Sequence, residues 1–226
     1  MSDQWDKLPF VPAVSDVENF RKDENDYLII CDGNSITRHG TSESIVERLG
    51  WRITAGMAAS DESRDYAHVR AGLIQSAMPE KRVKLLFTCR QVVKNVSPDL
   101  VVIQGGEHCR IEDLDSYREE YRNMIREYQE LNGEKCRIIL ISIWNPTCQK
   151  EFFECTGENY QSNALLIRAM QQQAAAEFKV DFADMSGLEN IPENTGYGEV
   201  AAVRWHPSDA GMRSIAGAVF KLWEKR

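Results

Sequence analysis

Short, uninterrupted apolar runs set between helical patterns constrain this chain more than any other feature. Residues 27–31 (Tyr-Leu-Ile-Ile-Cys) and 99–104 (Asp-Leu-Val-Val-Ile-Gln) place apolar side chains at consecutive positions. Both runs stop at turn-forming clusters, Asp32-Gly33-Asn34 and Gly105-Gly106. A strand with one wet face alternates polar and apolar residues, whereas a strand covered on both faces does not. Further short strands are expected at 51–54, 136–144 and 180–182, and 83–88 reads either as a strand or as the flank of a helix reaching Val96. Helical spacing falls between them, at 41–49, 61–78, 111–131, 159–178 and 208–223, the last with Ser208 as N-cap. Strands buried on both faces and separated by helices require an α/β fold, a three-layer α/β/α sandwich around a doubly wound, mainly parallel sheet. One domain is expected over 26–226, after an irregular lead-in at 1–25.

Composition removes several function classes. The 226 residues carry 27 Lys+Arg against 35 Asp+Glu, a formal charge of −8, so a general nucleic-acid binder with basic faces is excluded. No apolar run approaches the about 20 residues of a membrane span, and the N-terminal residues lack the apolar core of an export signal, so a cytoplasmic protein without a membrane partner is expected. The six cysteines show no CxxC spacing and read mostly as free thiols. No His/Cys/Asp/Glu cluster has metal-ligand spacing and no Walker loop or GxGxxG occurs, so neither a metal nor another cofactor is called for.

In such sheets, ligands bind beyond the carboxyl ends of the strands. Four segments arrive there: 32–37 after the first strand, 55–60, 105–108, and 205–212 before the last helix. A serine at the mouth of a helix meets unpaired N–H groups that favour an oxyanion, but it needs a base to take its proton. Ser35 and His206 are candidates for that pair; taken alone, the first reads more readily as a capped strand-to-helix turn and the second as a loop residue.

Gly33-Asn34-Ser35-Ile36-Thr37, the strand running into Gly105-Gly106-Glu107-His108, and His206-Pro207-Ser208-Asp209-Ala210-Gly211-Met212 together resemble the blocks of the SGNH/GDSL hydrolases. The likeness runs from Tyr27 to Phe220 and is greatest for the carbohydrate acetylesterases of that family. It implies the flavodoxin-like SGNH hydrolase fold, with Ser35 as nucleophile and His206 as general base and acid. It also implies an oxyanion hole of the Ser35 N–H, a backbone N–H near Ala59 and a side chain at His108. Three departures accompany it. Val203 stands three residues before the base, where the family often has an acid, so His206 would be oriented by a backbone carbonyl or by Glu199, with slower turnover. His108 or Glu107 stands where the family has its oxyanion asparagine; a neutral imidazole can donate there, whereas a carboxylate would repel, which favours His108 with Glu107 turned aside. Ala59 stands where glycine is common.

Trp144, Asn145 and Trp205 flank these blocks and form a candidate substrate wall. Met57 and Met212 read as packing residues, and Arg38-His39 as a solvated turn. The resemblance implies a serine esterase that removes acyl groups, acetyl above all, from a carbohydrate or other small polar ester. Its rival is a catalytically weak or inactive protein of the same fold that binds a glycan or a protein partner. A flavin or nucleotide binder of the same topology is the third expectation.

Overall fold

The computed structural model describes residues 5–88, 96–132, 136–146, 160–197 and 199–225. Five strands form one wholly parallel sheet: β1 (Asp26–Gly33), β2 (Arg82–Phe87), β3 (Leu100–Gln104), β4 (Arg137–Ile141) and β5 (Asp181–Ala183). Among the described residues the α-helices are α1 (Glu43–Leu49), α2 (Tyr66–Ala77), α3 (Leu114–Asn132), α4 (Tyr160–Phe178), α5 (Ala201–Trp205) and α6 (Asp209–Glu224). The strand order β2-β1-β3-β4-β5 places β1 between the first crossover and all later ones.

Alternate residues of the apolar strands feed two separate cores. Ile29 and Cys31 of β1, Val102 of β3 and Ile139 of β4 face α2 and α6, and pack with Ile74, Met212 and Val219. Leu28, Ile30, Val101 and Leu140 face α3 and α4, and pack with Tyr121, Ile125, Ile167 and Met170. Right-handed parallel crossovers force this arrangement: reversing the direction of travel across the sheet at β1 moves the helices to the opposite face. The three-layer sandwich expected from the apolar runs is therefore present.

Residues 83–88, ambiguous in sequence, form β2, which pairs with β1 from Asp26↔Arg82 to Cys31↔Phe87. The strand expected at 51–54 does not form. Both edges of β1 are taken by β2 and β3, and the backbone near this segment makes only an isolated bridge, His39↔Ala55. The outer side of β2 is met by the lead-in, where Ala13 bridges Leu85 and Val14 N donates to Leu85 O at 2.8 Å. That contact shields part of an otherwise open sheet edge. Of the cysteines, Cys31 and Cys109 are free thiols, and Cys89, Cys148 and Cys155 lie outside the described residues. Among the described residues, no helix is long and apolar enough to cross a membrane.

The helix starts follow local chemistry. Ser42 caps α1 by accepting from Ile45 N, and Ser208 caps α6 by accepting from Gly211 N. The helix expected at 61–78 is split: a 3-10 turn at Glu62–Arg64 precedes α2, because Asp65 stays extended as the N-cap. Its fully buried carboxylate accepts from His68 N at 2.9 Å, His68 Nδ1 at 2.8 Å and Gly56 N at 3.3 Å. Asp65 therefore ties α2 to the loop at 55–60. Asp65→Ala is expected to lower stability by about 3 kcal/mol, combining a lost cap with buried donors left unpaired. Urea unfolding measures it; a midpoint within error of the parent would show that the carboxylate contributes nothing.

Candidate active site

The turn after β1 is shaped by a glycine that nothing larger could replace. A Cβ on Gly33 would lie 2.2 Å from Thr37 Oγ1 and 2.7 Å from Gln104 O. The chain can then fold tightly over β3, with Thr37 N and Arg38 N both donating to Asn34 O at 2.9 and 3.0 Å. Asn34 Oδ1 accepts from Ile36 N at 3.1 Å, which makes the asparagine part of its own turn. Ser35 sits half-buried at the crest, and its own N–H has no partner among the described residues.

Ser35 Oγ lies 2.7 Å from His206 Nε2 across 171 residues of sequence. The other ring nitrogen, Nδ1, lies 2.6 Å from Ala202 O. A carbonyl only accepts, so Nδ1 carries the proton and Nε2 presents its lone pair to the serine hydroxyl. Ala202 belongs to α5, a five-residue helix whose C-cap is His206. The ring is buried, with Trp205 edge-on at 5.3 Å between centroids, and its backbone carbonyl accepts from Gly196 N at 2.6 Å.

With both ring nitrogens engaged, no position remains for Glu199, which is solvent-exposed. A backbone carbonyl therefore orients His206 in place of the carboxylate that sequence offered as an alternative. Val203 is buried in the core. The expected substrate wall is also not formed by the residues proposed for it. Trp144, Asn145 and Trp205 are 1%, 4% and 3% exposed, and Trp144 Nε1 donates to Trp205 O at 2.9 Å. These side chains pack behind His206 and are too buried to form a substrate wall.

The remaining oxyanion candidates are placed unequally. Met57 N donates to Ser35 O at 2.8 Å, which brings the second loop against the Ser35 turn. Ala58 adopts a left-handed conformation (φ 72°), and Ala59 N donates to Gly56 O at 3.0 Å. The Ala59 N–H is thus engaged by its own turn. His108 is exposed at the rim of a cavity of about 670 Å³, together with Asn34, Asp32 and Tyr117. Glu107 is turned inward: it accepts from Asn34 Nδ2, from Gln104 Nε2 at 2.6 Å and from Trp144 N at 2.9 Å. Burial pushes its carboxyl above the ordinary range, against the pull of these donors. Gly106 makes the inward turn possible: its φ is +116°, and a Cβ there would lie 2.9 Å from Ile167 Cγ2.

No family model matches the chain, and no curated protein matches it in sequence. Solved structures do. A proposed SGNH hydrolase from Slackia heliotrinireducens is 17% identical with a TM-score of 0.58, covering 87% of this chain and 98% of its own. The acetyl xylan esterase AlAXEase is 17% identical with a TM-score of 0.56, covering 86% and 98%. A W215I variant of Axe2, an acetyl xylan esterase from Geobacillus stearothermophilus, is 18% identical with a TM-score of 0.53, covering 86% and 93%. The chain has the SGNH hydrolase fold.

Within that fold, several buried polar residues around the site escaped the sequence. Beyond Ile141 the β4 ladder ends, and the backbone N–H groups of Ile143, Trp144 and Asn145 pass to side chains: Gln171 at 2.8 Å, Glu107 at 2.9 Å and Glu189 at 2.9 Å. Glu189 is 2% exposed and also pairs with Arg168 at 2.7 Å. A polar residue closing an apolar strand, Gln104, was the one available signal. Nothing marked Gln171 or Glu189. Arg38, read as part of a solvated turn, pairs with Glu62 at 3.1 Å and lies over the Phe87 ring.

Burial, opposed by the Ala202 carbonyl and assisted by the nearby His39 and His108, lowers the His206 pKa from 6.5 to about 4. The ring is therefore expected to titrate near pH 4 in NMR; a midpoint near its ordinary value would contradict the burial. Unfolding returns the ring to water, so between pH 6.5 and 4 the unfolded chain binds a proton that the native one does not. The contribution of His206 to stability is complete above this window and falls as pH drops through it. Comparison with His206→Gln by urea unfolding at several pH values isolates the effect.

Proposed function

We infer that this protein is a serine ester hydrolase that removes short acyl groups, acetyl foremost, from a carbohydrate or other polar ester. The observation that carries the reading is the bond from Ser35 Oγ to His206 Nε2, made by an imidazole whose tautomer is fixed by a carbonyl. In this reading His206 Nε2 takes the Ser35 proton as Oγ attacks the ester carbonyl carbon. The tetrahedral intermediate places its oxyanion near the free Ser35 N–H, with His108 as the side-chain donor. Its collapse breaks the bond to the leaving oxygen, which receives the proton from Nε2 and departs as an alcohol. Water then attacks the acyl ester on Ser35, its proton passing to His206, and the carboxylic acid leaves as the proton returns to Oγ.

Substrate class follows from weaker support. Two of the structural relatives named above are acetyl xylan esterases. The net charge of −8 disfavours polyanionic substrates. Asp32, Asp113 and Glu120 line the cavity beside Asn34, adding local negative charge. Neutral, hydroxyl-rich esters suit these surroundings.

The wild-type protein is expected to hydrolyse p-nitrophenyl acetate and to take up a fluorophosphonate probe at Ser35. Ser35→Ala and His206→Ala should each lower kcat by about a thousandfold or more. Equal rates for wild type and Ser35→Ala would remove Ser35 as the nucleophile. The rival reading, an inactive scaffold that binds a glycan or protein partner, draws on the second loop, where the Ala59 N–H is already engaged by Gly56. An unlabelled Ser35 together with measurable binding of acetylated xylo-oligosaccharides would favour that rival.

A further inference from the structure

The geometry points to Glu107 as a positioning residue that holds the Ser35 turn, acting with Asn34 as a matched acceptor–donor pair. The inference rests on reading Ser35 as the reactive group. Glu107 is 7% exposed and stands where β1, β3 and β4 end side by side. Its Oε2 accepts from Asn34 Nδ2, and its Oε1 accepts from both Gln104 Nε2 and Trp144 N, at 2.6 and 2.9 Å. Asn34 grips the turn with its other atom, since Oδ1 accepts from Ile36 N at 3.1 Å, one residue beyond Ser35. On the far side, Trp144 Nε1 donates to the carbonyl of Trp205, the neighbour of His206. One carboxylate thus reaches toward the nucleophile through Asn34 and toward the base through Trp144.

The pair has a direction. A carboxylate only accepts, whereas a primary amide donates from one end and accepts at the other. Exchanging Oε2 for an amide nitrogen leaves Oε1 with both of its donors and sets two N–H groups against each other at Asn34. Asn34 cannot relieve this by flipping, because a flip would take Oδ1 away from Ile36 N. Of the links described, Glu107→Gln therefore cuts the one to the Ser35 turn. Adding Asn34→Asp rebuilds that link with reversed polarity: the introduced carboxylate accepts from the introduced amide and still accepts from Ile36 N. Asn34→Asp alone sets two carboxylates face to face in a buried site, which is the least favourable combination.

The test compares wild type, both single variants and the double variant in p-nitrophenyl acetate hydrolysis, fluorophosphonate labelling rate and thermal unfolding. Glu107→Gln is expected to lower kcat and the labelling rate by about 10- to 100-fold, with KM within about threefold. Asn34→Asp should be lower still, and the double variant should return to within about tenfold of wild type. A role confined to stability would move the melting temperature without this split or this recovery. Glu107→Gln with a wild-type kcat, or a double variant no better than the single ones, overturns the inference alone. A wild type that neither turns over nor labels overturns the reading of Ser35 and this inference with it. Should Glu107→Gln fail to fold, the double variant must recover both fold and activity, and its failure to do so counts against the pairing.

Discussion

Everything at the candidate site depends on the reversal of the chain's progress across the sheet at β1. The chain leaves β1 for the edge strand β2 and then returns past it to β3, so the loops after β1 and β3 diverge to opposite faces. The crevice between them opens at the carboxyl ends, where no further ladder pairs the backbone. Ser35 stands on one lip, and the loop from Gly105 to His108 on the other. A slip of one residue in the β1–β3 register would send each side chain to the opposite core, so the position of Ser35 is secured by the packing of the two apolar cores beneath its turn.

His206 is held differently from Ser35. His206 is anchored by a carbonyl of α5 and, among the described residues, has no carboxylate bonded to its ring, so that carbonyl fixes its tautomer. A carbonyl dipole stabilises an imidazolium less than a carboxylate does, and burial opposes the cation further. The ring therefore remains a neutral acceptor well into acid. Under the mechanism proposed above the cationic form is harder to reach, so alignment is favoured over electrostatic assistance.

Behind both residues lies a set of buried acceptors that replaces a missing strand neighbour. Past Ile141, three successive N–H groups lose their ladder partners and would be left unsatisfied in a dry interior. Gln171, Glu107 and Glu189 take them in turn. Those side chains come from α4, from the loop after β3, and from the segment between β5 and α5, so the end of β4 becomes a junction between distant parts of the chain. Trp144 and Asn145 are buried because they belong to this junction, which is why they make no substrate wall.

The fold class, the parallel sheet and four of the five strands were legible in the sequence, because wholly apolar runs between helical patterns have few other physical solutions. The strand expected at 51–54 failed for a reason no local window contains: the edges of β1 were already occupied. Ser35 and His206 were legible as residues of the right kind at strand and helix ends, and their juxtaposition was an expectation carried by resemblance. Their 2.7 Å contact, the carbonyl behind the ring and the inward turn of Glu107 were decided by tertiary structure alone. The reason is physical. Apolar periodicity is a local property written residue by residue, whereas a hydrogen-bond partner for a buried polar group is chosen among whatever the packed elements bring within reach.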